Sequence, residues 1–119
     1  MNWYLAKVVY RIICGDGYHK PQFDEQLRLI QASDKLEAYN KAREIGYNEQ
    51  DSFLNDNQRL IEWKFIDVSE LHQVNALIDG AELYSKVTET ENGDLYVEII
   101  KKRAAHIRMN IENNILQTF

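Results

Sequence analysis

Positions 4, 6, 8, 10, 12 and 14 hold Tyr4, Ala6, Val8, Tyr10, Ile12 and Cys14, all apolar, while Lys7 and Arg11 fall on the odd positions between them. Alternation of this kind, rich in β-branched and aromatic residues, predicts a strand over 3–14 with its even face in a core. Gly15-Asp16-Gly17 ends it, and Pro21 lies in the same loop, where a missing N–H is harmless. A second strand is predicted over 23–32, with Phe23, Leu27 and Leu29 on the core face. The short connection favours an antiparallel hairpin. A helix follows, started by Asp34 with Glu37 three residues on, and buried along Leu36, Ala38, Tyr39, Ala42 and Ile45. Gly46 is placed as its left-handed end.

Asn55-Asp56-Asn57 reads as a turn before a third strand, Arg59 to about Val68, with Ile61, Trp63 and Phe65 facing inward against Glu62 and Lys64. Residues 69–78 fit a short helical turn and a drifting strand equally well. After the Asp79-Gly80 turn, alternation resumes over 81–88 and predicts a fourth strand. Asn92-Gly93 is a hairpin signal between β-like flanks. However, Tyr96, Val97, Ile100, Ala104, Ile107, Ile111 and Ile115 share an arc of roughly 100° on a helical wheel. Helical spacing is the better account, so one long helix over about 95–116 is expected, capped by Asp94.

The order ββαββα places the chain in the α+β class. The expected architecture is a four-stranded antiparallel sheet with two helices packed on one face. A single domain is expected over 1–119, in which 95–119 form a long C-terminal helix and tail suited to oligomerisation. With 119 residues and 45% hydrophobic content, the chain can build a core without help. Its one cysteine, Cys14, rules out an intrachain disulfide and gives no reason to expect an oxidising compartment. No stretch approaches the roughly 18 apolar residues of a membrane span, and the N-terminus has no basic leader region, so the expected location is the cytoplasm.

A formal net charge of −5 disfavours nucleic acid, whose phosphates are held by cationic surfaces. His19, His72 and His106 lack metal-ligand spacing, and neither a metal nor a cofactor is expected. Cys14 falls on the core face, the setting of an inert thiol. Gly15-Asp16-Gly17 leads into a loop and strand instead of a helix, so it is no phosphate cradle. The one basic cluster, Lys101-Lys102-Arg103 with His106 and Arg108, spreads around the helix and reads as a solvated face.

Two surfaces are left without an internal role. If the even face of the first strand is core, then Trp3, Leu5, Lys7, Val9 and Arg11 point the other way, joined by Arg28, Ile30, Glu62, Lys64, Glu82, Tyr84 and Lys86. Trp3, Lys7, Arg11, Glu82 and Tyr84 are the residues of this face expected to meet a partner or ligand. The far end of the last helix, with Ile107, Ile111, Ile115 and Phe119, is expected to overhang the sheet and pack on a second subunit.

Trp3-Tyr4-Leu5-Ala6-Lys7, Ala32-Ser33-Asp34-Lys35-Leu36-Glu37-Ala38, Trp63-Lys64-Phe65-Ile66-Asp67-Val68 and Asp79-Gly80-Ala81-Glu82-Leu83-Tyr84-Ser85 occur in this order and spacing. Together they resemble the bacterial family called domain of unknown function 4288, over most of residues 3–88 and more loosely in the last helix. The resemblance implies a compact bacterial domain and no catalytic residue. The favoured reading is a small, non-catalytic protein-interaction module of a bacterial cytosol, forming a homodimer or binding another protein. An alternative is a small-molecule-binding or enzymatic domain using the open sheet face, where Lys7, Glu82 and Tyr84 would converge beside Trp3. A third is weak nucleic-acid contact through 101–108.

Overall fold

The alternating N-terminal run is the centre of the sheet. The computed structural model describes residues 1–117 and contains β1 (Asn2–Cys14), β2 (Gln22–Ala32), α1 (Lys35–Asn48), β3 (Asp51–Leu54), β4 (Leu60–Val74) and α2 (Gly93–Gln117). The strands are antiparallel in the order β2-β1-β4-β3. The α+β class and the order ββαββα are as the sequence predicts. Two compact units are distinct: Met1–Ser85 holds the sheet and α1, and the segment from Lys86 onward holds α2.

On β1 the even face is core: Tyr4, Ala6, Val8 and Tyr10 are buried. Its counterpart on β2 is the reverse of expectation. The hairpin register sets Tyr4 opposite Ile30 and Asn2 opposite Ala32, so even positions of β2 share the even face of β1. Ile30 and Ala32 are therefore buried against Ala38 and Ala42 of α1, and Phe23, Leu27 and Leu29 emerge on the other face, about half exposed. A one-residue change in register moves every side chain to the opposite face, and here pairing overrode the larger apolar residues. Further along β2 the same face turns polar. Arg28 bonds Gln26 and Glu49, and Asp24 accepts from Trp63 Nε1 at 3.1 Å.

β4 runs to Val74, through the stretch that reads ambiguously in sequence, and it carries two bulges. Lys7 pairs with Glu70 but Val8 with Val68, and Val9 pairs with Asp67 but Tyr10 with Phe65, so Ser69 and Ile66 are the extra residues. A bulge re-aims the side chains around it. Asp67 reaches α1, where Tyr39 donates to it at 3.1 Å and Arg43 lies at 3.5 Å. The bulges also break the simple alternation that would have marked 60–74 as one strand.

The remaining strand is a correction. Residues 81–88 form no strand, and the sheet's fourth member is β3, Asp51–Leu54, pairing with Leu60 to Trp63. Asn55 builds the turn: its Oδ1 accepts from the backbone N–H of Asn57 at 2.9 Å and of Arg59 at 3.0 Å. That is a local Asx turn, and it makes a tight hairpin here cheaper than a distant fourth strand.

α1 starts as the sequence predicts. Asp34 accepts from Glu37 N–H at 2.8 Å, and the Glu37 carboxylate reaches back to Ser33. Its end is different. Gly46 is not a left-handed cap; the helix continues to Asn48, and the glycines with positive φ are Gly15, Gly17 and Gly80. Gly46 is buried because Phe65 lies over it, leaving no room for a side chain. α2 begins at Gly93, with Asn92 Oδ1 accepting from Leu95 N–H at 3.0 Å, so Asn92 takes the capping role expected of Asp94. Every described residue of α2 is exposed.

Candidate functional site

The face of the sheet away from α1 carries a polar cluster built by cross-strand pairing. Leu5 faces His72 and Lys7 faces Glu70 in adjacent strands. Lys7 Nζ stands 2.8 Å from Glu70 Oε2, with the two side chains 24% and 30% exposed. Tyr84, in the segment after β4, folds onto this pair. Its hydroxyl donates to Glu70 Oε1 at 2.9 Å, and its ring lies tilted on His72 with centroids 4.9 Å apart. His72 Nε2 is enclosed and has no hydrogen-bond partner among the described residues.

The electrostatics follow from this geometry. The hydrogen bond from Lys7, and then that from Tyr84, holds the Glu70 carboxyl below the usual carboxylate range. Glu70 in turn raises Lys7 and Tyr84, in each case chiefly through its hydrogen bond. All three shifts lead away from neutrality. A general acid or base works best with its pKa near the working pH, and these three shifts move away from it. Its charges satisfy one another, and its effect is to fasten residues 75–85 to the sheet.

The unit that contains this cluster coincides with a known family. Residues 3–85 match the family model described as Domain of unknown function (DUF4288). The chain belongs to the DUF4288 family. No curated protein and no solved structure matches it. The DUF4288 span ends where the first compact unit ends, so α2 lies outside it.

The DUF4288 unit brings some of the expected face residues together and separates others. Lys7 and Tyr84 meet, but through Glu70, which sequence reasoning did not single out. Glu82 is exposed and lines a shallow cleft with His72, Asn75, Tyr84 and Ser85. Trp3 is half-buried between Gln31 and Val74. Arg11 lies with its guanidinium 5.6 Å from the Phe23 ring centre, beside a cleft that includes Lys64 and His19. His19 is a structural residue: its Nε2 accepts from Cys14 N–H at 3.0 Å, pinning the end of β1. Among the described residues no three His, Cys, Asp or Glu side chains gather as metal ligands would, and no helix is long and apolar enough to cross a membrane. Arg28 and Ile30, placed on this face by the sequence reading, are on the α1 side. The signal for Glu70 and His72 was their two-residue spacing with Val74, hidden by the bulge before them.

The second candidate surface is α2. Tyr96, Val97, Ile100, Ile107, Ile111 and Ile115 are 43–60% exposed, a high value for large apolar side chains at helical spacing. A helix of 25 residues spans about 37 Å. Phe119, expected at its far end, lies outside the described residues.

Proposed function

We propose that the protein is a small, non-catalytic protein-interaction module of a bacterial cytosol, and that α2 is the element that engages its partner. The observation that supports this most directly is the exposed apolar stripe of α2. An amphipathic helix derives most of its stability from burying that face, because isolated helices are marginal in water. A stripe of this length is sufficient for a groove or a second helix, the usual mode of helix-mediated recognition. The partner is a second copy, giving a homodimer, or another protein. The internally satisfied Lys7–Glu70–Tyr84 cluster supports the non-catalytic part of the reading.

Light scattering on the full chain at micromolar concentrations, beside affinity capture from the native cell, tests this reading with one variant. Replacing Ile107 and Ile111 together by Glu leaves the DUF4288 unit intact and places two charges in the stripe. A dimer that becomes a monomer, or a captured protein that this variant no longer retains, supports the reading. Identical behaviour of wild type and variant in both measurements overturns it.

A further inference from the structure

Resting on the reading of α2 as a docking element, we infer that its occupant is a helix with acidic edges on another protein, and not a second copy of α2. Val97, Ile100, Ala104, Ile107 and Ile111 are spaced by three, four, three and four residues, the heptad seam of a helix–helix interface. Along that span the positions flanking the seam are Lys101 and Arg108 on one edge and Arg103 and Asn110 on the other. No carboxylate occupies either edge between Val97 and Ile111. The acids of this stretch lie elsewhere: Glu98 is on the outer face, where it meets Lys102 at 3.5 Å. Lys102 thus has an ion-pair partner within the helix. Lys101, Arg103 and Arg108 form no ion pair among the described residues.

Edge charges decide which helices pair and in what direction. Two copies of α2 packed in parallel would bring Arg103 of one against Arg108 of the other. Packed antiparallel with the two 97–111 seams fully overlapped, Lys101 of one would meet Arg108 of the other. Asp94, one heptad before Lys101 on that edge, lies beyond the overlap. Either self-pairing stacks like charges along the seam, whereas a partner with Glu or Asp at these positions turns each clash into an attraction. An anionic membrane fits less well, because Asp94, Glu98 and Glu112 share the polar side with the basic residues and leave the helix nearly neutral.

The test uses the full chain with two synthetic four-heptad peptides, each with Ile and Leu in the seam, one carrying Glu and the other Lys at every edge position. Vesicles of equal phosphatidylcholine and phosphatidylglycerol serve as a third probe. The Glu peptide is expected to bind, more tightly at low salt, and the Lys peptide is not. Replacing Lys101, Arg103 and Arg108 by Glu should reverse the preference, each peptide changing affinity on the order of tenfold or more. Equal binding of the two peptides, binding of neither, or tighter binding to vesicles overturns the inference. A dimer of the full chain that the Ile107 and Ile111 replacement abolishes, with no Glu-peptide binding, would sink this inference and leave the interaction reading standing.

Discussion

Gly46 offers the sharpest test of the packing, because neither ordinary expectation about glycine describes it. Its place near the end of α1 suggests a left-handed cap, and alanine in a helix interior is normally worth about 1 kcal/mol over glycine. Propensity alone would make Gly46→Ala stabilising, and a left-handed cap would make it costly through backbone strain that owes nothing to Phe65. The structure says otherwise. A Cβ at this position would lie no more than 2.7 Å from three carbons of the Phe65 ring. That ring is 5% exposed and is held edge-on by Tyr10 at 5.8 Å and by Tyr47 at 4.7 Å between centroids. With the ring confined, α1 must move, and with it the Gly46 carbonyl that accepts the buried Tyr10 hydroxyl at 2.9 Å.

Overpacking of a filled core costs about 1–3 kcal/mol, and a weakened buried hydrogen bond adds about 1 kcal/mol. Set against the propensity gain of about 1 kcal/mol, Gly46→Ala should destabilise by roughly 1–3 kcal/mol. In a domain of this size that lowers the melting temperature by roughly 5–20 °C. Urea unfolding followed by circular dichroism reads the change as a lower midpoint at unchanged slope. The companion variant Phe65→Leu makes room, so in its background the cost of the alanine should shrink by about 1 kcal/mol or more. A Gly46→Ala protein as stable as wild type would refute the reasoning, and so would strictly additive costs of the two substitutions.

Other consequences follow from single contacts. Tyr10→Phe keeps the ring packing and removes only the bond to Gly46, so urea unfolding should show a loss of about 1 kcal/mol. Asp34→Ala removes the side chain that caps α1 and should also cost about 1 kcal/mol, most of it restored by Asp34→Asn. Because the folded state lowers the Glu70 pKa, its contribution is present above the unfolded carboxylate value and is lost as pH falls through the folded value. The stability gap between wild type and Glu70→Gln should therefore be open at neutral pH and close as acid unfolding proceeds below about pH 4. A gap independent of pH would mean that charge on Glu70 does not matter. Chymotryptic cleavage within residues 75–85, after Leu77, Leu83 or Tyr84, should also speed up in the variant, since Tyr84 loses its charged acceptor.

How far the fold was legible depends on what decided each element. β1 has one face apolar at every even position, and α1 carries an uninterrupted helical period behind its Asp34 cap, so local pattern and packing agree there. By contrast, α2 is legible from its period alone. β2 is different. Its odd face carries Phe23, Leu27 and Leu29, but the face that became core is set by how the loop aligns Tyr4 with Ile30, a non-local fact. β4 was read short because two extra residues break its alternation, and the same bulges concealed the Lys7–Glu70 pair. Of the expected face residues, Lys7 and Tyr84 were found without the carboxylate that joins them, since cross-strand partners follow register and not composition. α2 marks the limit of such reading. Its periodicity shows that a face is apolar, and only the charges at the edges of that face carry information about what lies against it. A mistaken register can be corrected from the chain's own coordinates. The identity of a partner has to be argued from complementarity, and Lys101, Arg103 and Arg108 are where that argument starts.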